Sequence, residues 1–347
     1  MRSFPFEVKT QDLRAALRVG ASVGLPLLAL YVSGHIHFAV YAAFGALTSL
    51  YGHSETVQRR VETQIVVGAA LFLTLAAAVA YSVGQGPAWL LAVMLPVVVV
   101  GGGTLGAIMG WVPRGEIFFI LVLLVIADIP LTPGEMLPAL AAGAGGVLFS
   151  ILLTMSERRG EADPRSLARR VRTRTATGTK ALDTRQHAVV IIAAAVGVTC
   201  AWLLALALHI GHPFWAPVAA SALMPALTSS DVKRRTIHLL AGTIGGVGLA
   251  ALFFVGQPGP LALIVLIALC QAVAELFIAR SYAIALLFLT PLAIGMSNLG
   301  RNLPWPPLLI ERLIEAGLGA AVALAAIIVG RLVLAKVAPS ARVENEV

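Results

Sequence analysis

Charged residues are scarce in this 347-residue chain. Only 12% of its residues are charged, whereas 59% are hydrophobic and the mean hydropathy is +0.90. A soluble globular domain carries about 25% charged residues. A chain this apolar cannot hide its hydrophobic surface inside itself, which excludes a soluble protein and predicts a polytopic, all-α membrane protein.

Cysteine is nearly absent, and enzyme motifs are missing altogether. Cys200 and Cys270 lie in apolar runs without a CxxC spacing, so neither a disulfide framework nor a metal site is predicted. The sequence has no HExxH, GxSxG or P-loop pattern, and the glycine triplet at 101–103 lies within an apolar run. We therefore expect no enzyme activity, no cofactor and no bound metal.

Acidic residues are also scarce, which leaves a net charge of +8 and a pI near 10.1. In a soluble protein such an excess would suggest a nucleic-acid partner. In a membrane protein, basic loops instead contact anionic lipid headgroups and set the orientation of the spans. Membrane lipid, and no nucleic acid, is therefore the expected partner of this charge.

Twelve apolar runs are long enough, or nearly so, to cross a bilayer, which takes about 20 residues of helix. They are 15–34, 37–52, 63–83, 87–110, 115–130, 135–155, 188–209, 213–229, 236–255, 259–279, 281–298 and 307–335. The second, fifth and eighth are short, and the eighth carries Pro213, Pro217 and Pro225. Because proline removes an amide donor, such a segment is tolerated at membrane depth only inside protein or beside a water-filled cavity.

Basic residues predict the orientation of these spans. If the N-terminus is cytoplasmic and the chain crosses twelve times, only Arg301 and Arg312 among the lysines and arginines fall on the outer side. This partition agrees with the positive-inside rule and predicts that both termini are cytoplasmic. The basic stretch 156–187 is then a cytoplasmic linker with some amphipathic helix, joining a six-span unit over 1–155 to a second over 188–347.

The two predicted units repeat one pattern. The doublets Arg59-Arg60 and Arg234-Arg235 each open a long apolar run. The separation between the two doublets is the same as that between His37 and His212, about half the chain length. Six spans is an even number, so both units enter the membrane from the same side. The repeats are therefore expected to be parallel, related by an axis along the membrane normal, where a pathway or binding site would lie.

The second unit resembles the FUSC family, of the fusaric acid resistance or aromatic acid exporter type. The family pattern is an aromatic-Trp-Ala start to a short span, then a basic residue, then Gly-Thr with further glycines. It reads here His212-Pro213-Phe214-Trp215-Ala216, then Arg235, then Gly242-Thr243-Ile244-Gly245-Gly246. The later motifs read Tyr282-Ala283-Ile284-Ala285, Phe288-Leu289-Thr290-Pro291, and Arg312 with Gly317 and Gly319.

This resemblance, over about 212–320, implies export of small and often aromatic organic acids across a bacterial inner membrane, driven by the proton gradient. The chain is also distantly similar to plant aluminium-activated malate transporters, which are anion channels built from two six-span subunits. The hypotheses are thus a proton-coupled exporter, a passive organic-anion channel, or a membrane assembly subunit. A periplasmic adaptor or a homo-oligomer stays open as a partner.

Candidate anion-pathway residues follow from the repeat and from the resemblance. Arg114 and Arg280 precede corresponding spans, and two arginines near an axis would concentrate an anion, although basic anchoring at the membrane surface would give the same positions. Trp215 and Tyr282 belong to the family motifs, and an aromatic ring there could stack on a substrate. Glu275 stands at helical spacing before Arg280, so the two could form a gating ion pair.

Candidate proton-coupling or gating residues lie in the last span and the fifth. Arg312 and Glu315 are i, i+3 neighbours that can pair, and Glu315 would suit proton coupling if it is buried. The alternative is a structural salt bridge. Asp128, near the outer end of the fifth span, is a further candidate, or is merely interfacial. The outer histidines are either polar caps of short turns or sensors of pH: they are His35, His37, His209 and His212.

Overall fold

The structure, a computed structural model, describes residues 10–53, 55–113, 115–157, 164–229, 231–278, 280–299 and 303–337. Within these ranges the chain is helical, with turns between helices and no strand. The α-helices are α1 (Thr10–Val32), α2 (Ala39–Ala46), α3 (Val57–Val83), α4 (Ala88–Met109), α5 (Ile117–Ala127), α6 (Met136–Met155), α7 (Pro164–Ala181), α8 (Thr184–Ala207), α9 (Trp215–Leu223), α10 (Val232–Phe254), α11 (Pro260–Ile278), α12 (Tyr282–Asn298) and α13 (Trp305–Val337).

Long apolar helices form the outside of the bundle. Eight helices of the described ranges are long and apolar enough to cross a membrane: α1, α3, α4, α6, α8, α10, α11 and α13. Their outward faces expose large apolar side chains such as Leu73, Leu137 and Leu252. In water so much exposed apolar surface would drive aggregation, whereas lipid tails cover it. The chain is therefore a multi-pass membrane protein.

Short apolar helices lie inside. They cover Ile36–Leu50, Ile117–Ala127, Trp215–Thr228 and Tyr282–Asn298. Every residue of α2 and of α9 is buried, and both helices continue into a short 3₁₀ segment. The predicted shortness of the second, fifth and eighth runs is confirmed. So is the enclosure of the proline-rich eighth run, because Pro217 lies in the buried helix α9.

The helices of the first half pack in the same pairs as those of the second. Helix α2 packs on α6 as α9 packs on α13, and α3 packs on α5 as α10 packs on α12. Across the halves, α1 packs on α11 and α4 packs on α8. The first and third long helices of each half thus also pack on the other half, which interlocks the two.

Glycine permits the closest of these helix contacts. A Cβ atom on Gly146 of α6 would lie 2.1 Å from the carbonyl oxygen of Ala42 on α2. A Cβ atom on Gly319 of α13 would lie 2.2 Å from the carbonyl oxygen of Ala216 on α9. No real side chain tolerates such distances, so small residues are what allow these helix backbones to approach.

These contacts decide which glycines of the two halves correspond. The sequence pattern alone pairs Gly143 and Gly145 with Gly317 and Gly319, which have the same spacing. In the structure Gly145 and Gly317 both face open space, and the contact that Gly319 makes in the second half is made by Gly146 in the first. The first-half counterpart of Gly319 is therefore Gly146.

The glycines that follow the second basic doublet have a packing role. A Cβ atom on Gly242 would lie 2.7 Å from the carbonyl oxygen of Ala283, and one on Gly246 would lie 2.6 Å from Cβ of Thr290. Both partners belong to α12. The prediction that these glycines permit close helix packing is confirmed.

The basic doublets share one geometry in both halves. The first arginine of each doublet is exposed, whereas the second turns inward. The Nε of Arg60 donates to the carbonyl of Gly52 at 3.1 Å, and the Nε of Arg235 donates to the carbonyl of Ala222 at 2.9 Å. Each inward arginine thus satisfies a carbonyl near the end of the short helical segment before it, where backbone acceptors lack helical partners.

Helix α7, in the stretch assigned as a linker, is docked on the bundle by Arg174. Its guanidinium donates to Oε1 of Glu55, to Oγ1 of Thr63 and to the carbonyl of Met109, each at 2.8 Å. The side chains of Arg174 and Glu55 are only 11% and 13% exposed. Three partners from different elements therefore fix one face of α7.

Replacing Arg174 with alanine is expected to destabilise this docking. The change leaves buried acceptors without their donor, which costs about 1–3 kcal/mol for each such group. The expected result is faster tryptic cleavage within α7 and a lower unfolding midpoint in detergent. Arg172→Ala is the matched control, because Arg172 lies on the exposed face of the same helix. Equal effects of the two changes would contradict the assignment.

Candidate functional site

A cavity of about 780 Å³ lies between the two halves. Helices α1, α2 and α5 of the first half and α9 to α13 of the second half contribute to its wall. Most of the lining side chains are aliphatic or aromatic, and the volume falls within the roughly 300–1,000 Å³ usual for small-molecule sites. We call it the central cavity.

The lining of the central cavity includes an exposed part and a buried part, and both carry arginine. Arg234, Arg235 and Arg280 belong to the lining, and Arg234 and Arg280 are exposed; we call this part the basic mouth. Trp215 and Arg312 also belong to the lining and are only 4% and 5% exposed; we call this part the closed end. A solute entering at the basic mouth would thus travel along apolar walls toward a buried cation.

The basic mouth is partly neutralised. Arg280 forms an ion pair with Asp12 of α1 and also donates to the carbonyl of Leu276 at 2.5 Å. The sequence suggested Glu275 as its partner, but the acidic partner that the structure shows comes from another helix. Glu275 is half-buried and lines the cavity near the mouth. Burial, and then the positive charges of Arg60 and Arg18, lower the pKa of the mouth residue His53.

Two of the predicted residues are not described as part of the cavity wall. Arg114 is outside the described residues, although the adjacent Val112 and Pro113 line the central cavity. Asp128 is exposed at the C-terminal end of α5, and the described lining does not include it. The other predicted pathway residues, Trp215, Tyr282 and Arg280, are brought together around the one cavity.

Arg312 is the central feature of the closed end. Its guanidinium carbon lies 4.6 Å from the ring centroid of Trp215, in a cation–π arrangement. Its Nε and Nη1 are buried and have no hydrogen-bond partner among the described residues. An arginine holds a carboxylate through two parallel hydrogen bonds, and it stays charged when buried. These unused donors therefore suit the carboxylate of a solute in the cavity.

Arg312 and Glu315 do not form the expected salt bridge in the described structure. Glu315 is fully buried, and its Oε2 accepts the backbone N–H of Ala216 at 2.8 Å instead. Ala216 lies in the first turn of α9, where free amides and the helix dipole attract a carboxylate. The i, i+3 spacing allows Arg312 and Glu315 to pair, but the carboxylate of Glu315 accepts a hydrogen bond from the Ala216 amide of a neighbouring helix instead.

A second arginine–aromatic pair lies at the basic mouth. The guanidinium carbon of Arg235 is 5.6 Å from the ring centroid of Tyr282, and both residues line the central cavity. The lining thus has a cation beside an aromatic ring in both of its named parts, and Tyr282 is within electrostatic range of Arg312 as well. In both pairs the arginine and the ring come from different helices of the second half.

The outer histidines take part in local contacts. Nδ1 of His212 lies 2.5 Å from Oε2 of Glu311, which joins the turn before α9 to α13. The rings of His35 and His37 are 6.2 Å apart between centroids. Among the described residues, no group of three or more histidine, cysteine, aspartate or glutamate side chains could hold a metal ion.

Sequence reasoning missed Glu116. This residue precedes α5, is only 5% exposed, and its Oε1 accepts a hydrogen bond from Oγ of Ser221 at 3.1 Å. Ser221 lies on α9 and lines the central cavity. The available signal was an acidic residue directly before a run of eleven apolar residues. This signal is weak, because an acidic residue in such a position also fits an ordinary helix boundary.

Comparisons with known proteins cover only part of the chain. Residues 200–326 match the family described as fusaric acid resistance protein-like. The uncharacterized membrane protein YvaC of Bacillus subtilis (strain 168) is 34% identical over 96 residues, which are 28% of this chain and only 15% of that protein. No solved structure matches the chain significantly. Residues 200–326, which hold both arginine–aromatic pairs, are therefore similar in sequence to the fusaric acid resistance protein-like family.

Proposed function

We propose that this protein is a membrane transporter that exports small organic anions, aromatic acids among them, through the central cavity. The family match over the second half supports a transporter. The observation that carries the choice of an anion is Arg312, a buried cation with unused donors against Trp215 at the closed end. The apolar walls suit the ring of an aromatic acid, and the guanidinium suits its carboxylate.

The proposal includes two parallel six-helix repeats that cross a bacterial inner membrane twelve times, with both termini in the cytoplasm. The matching helix pairs and the matching glycine contacts of the two halves support the duplication. The distribution of lysine and arginine supports the orientation. In that orientation the basic mouth faces the cytoplasm, so the cavity is open for loading an anion from inside.

The arginines of the basic mouth are proposed to raise the local concentration of anions. Arg234, Arg235 and Arg280 line it, and Arg114 is proposed to join them from the equivalent position in the first half. Asp231 and Asp12 pair with Arg234 and Arg280, so the excess positive charge of the mouth rests on Arg235, and the apolar walls focus its field. Anions would thus collect at the mouth before meeting Arg312.

Flux measured in proteoliposomes tests the function. Purified protein is expected to move benzoate and terephthalate faster than protein-free liposomes do, with succinate as the aliphatic comparison. Uphill accumulation under an imposed pH gradient is expected for a proton-coupled exporter. A current that follows only the anion's own gradient would instead identify a passive channel. If no probe in the panel moves faster than in protein-free liposomes, the transporter proposal fails, and an assembly subunit becomes the better reading.

A further inference from the structure

Glu116 is a buried carboxyl group at the junction of the two halves. It stands directly before α5 of the first half, and its Oε1 meets the hydroxyl of Ser221 on α9 of the second half. A Cβ atom on Gly103 of α4 would lie 3.3 Å from its Oε2. Because Ser221 lines the central cavity, one hydroxyl group separates this carboxyl from the transport path.

The surroundings of Glu116 offer little compensation for a negative charge. Glu116 forms no ion pair among the described residues. Tyr51 is a titratable neighbour on which the charge of Glu116 acts. Arg114, two positions earlier in the chain, lies outside the described residues. On α4 the residue that faces Oε2 of Glu116 is Gly103, which has no side-chain donor. Burying an ionised carboxylate that has only neutral hydrogen-bond donors among the described residues is costly, so this site can take up a proton at modest cost.

The hydrogen-bond partners distinguish Glu116 from the other buried glutamate, Glu315. The backbone N–H of Ala216 can only donate to Oε2 of Glu315, and Oε1 of Glu315 is buried without a partner among the described residues. A serine hydroxyl can donate or accept, so Ser221 can partner Glu116 in either protonation state. Ser221 can therefore follow the gain and loss of a proton at Glu116 by turning its hydroxyl group.

We propose that Glu116 is the proton-binding site that couples proton movement to anion export, with Ser221 passing the proton between carboxyl and cavity. This inference rests on the proposed transport function. In the ionised state the hydroxyl of Ser221 donates to Oε1. When Glu116 takes up a proton, its own O–H donates to Oγ of Ser221, and the serine hydrogen turns to a carbonyl one turn back in α9. Because this hydrogen bond joins the halves, their relative movement changes access to the proton.

Two measurements on Glu116→Gln test the inference. The first is pH-difference infrared spectroscopy of the reconstituted full chain without any substrate. Wild type is expected to show the carbonyl band of a carboxyl that titrates, and the variant is expected to lack it. The second is transport of terephthalate, in which the variant is expected to lose accumulation driven by a pH gradient and to keep downhill flux.

The matched control is Glu135→Gln. Glu135 is half-exposed and closes a capping box with Thr132, a role that glutamine also fills. This control is expected to keep both the infrared band and the accumulation. Ser221→Ala, which leaves the carboxyl in place, is expected to keep the band at a shifted pH and to slow accumulation. If Glu116→Gln does not elute as a folded protein, Ser221→Ala tests the inference in its place.

The outcomes separate this inference from the transport function. An infrared band that persists unchanged in Glu116→Gln, or is absent from wild type, overturns Glu116 as the proton site whatever the flux shows. Accumulation by Glu116→Gln equal to wild type overturns it as well. Downhill flux of terephthalate with no response to pH in wild type leaves the transporter standing but removes the coupling. Loss of the band together with loss of accumulation supports the assignment.

Discussion

Arg312→Gln is expected to lower organic-anion flux by about tenfold or more, mainly by raising KM. The substitution removes the charged, two-pronged donor that the carboxylate would meet at the closed end. A hydrogen bond to a charged group contributes about 1.5–3 kcal/mol, and about 1.4 kcal/mol corresponds to a factor of ten. Initial rates of benzoate and terephthalate uptake over a range of concentrations measure the effect.

The variant should remain folded, because Nε and Nη1 of Arg312 have no hydrogen-bond partner among the described residues, so the substitution breaks no hydrogen bond at these two atoms. Arg312→Lys is expected to fall between wild type and Arg312→Gln, since it keeps the charge and loses the planar fork. Arg169→Gln is the control, because it removes the same charge from the exposed face of α7. An unchanged KM in folded Arg312→Gln would contradict a carboxylate site at the closed end.

The class of the fold could be predicted because it depends on composition. Twelve percent charge and long apolar runs leave membrane-embedded helices as the physical solution. The internal position of the eighth run could be predicted too, because Pro217 and Pro225 leave backbone groups that lipid cannot satisfy. Short length alone would not have shown that α2 and α9 are fully buried.

The details of the site could not be predicted, because they depend on contacts between helices distant in sequence. The i, i+3 rule favoured an Arg312–Glu315 pair, but it takes no account of Ala216, whose amide lies nearer in space. Glu116 acquires its importance only from Ser221, which is far away in the chain. A single sequence gives the spacing within one helix, whereas such partners follow from how the helices pack.

The register of the repeat shows the same limit. Loops of unequal length shift the offset between corresponding residues along the chain, so glycines matched by sequence alone slip by one position. The close contacts with Ala42 and Ala216 fix the register instead, because only one glycine on each of α6 and α13 meets a carbonyl oxygen there. Backbone proximity is thus a better guide to equivalence than the local sequence pattern.

Gly146→Ala and Gly319→Ala are each expected to destabilise the protein, in the first half and in the second. The added Cβ atoms would lie 2.1 and 2.2 Å from backbone carbonyl oxygens, so the helices must separate. Overpacking of this kind costs about 1–3 kcal/mol and more where backbone must move. Thermal unfolding in detergent, followed by size-exclusion chromatography, measures the loss.

The same helices supply the controls, since Gly145 and Gly317 face open space and their alanine variants should unfold as wild type does. Equal damage from a control glycine would mean that the helices, rather than the close contacts, are sensitive to alanine. Damage in the second half alone would restrict the tight packing to the part that matches the family. Damage at Gly146 and Gly319 alike is the result expected if one six-helix unit has been used twice, because a duplicated fold carries its closest contact in both copies.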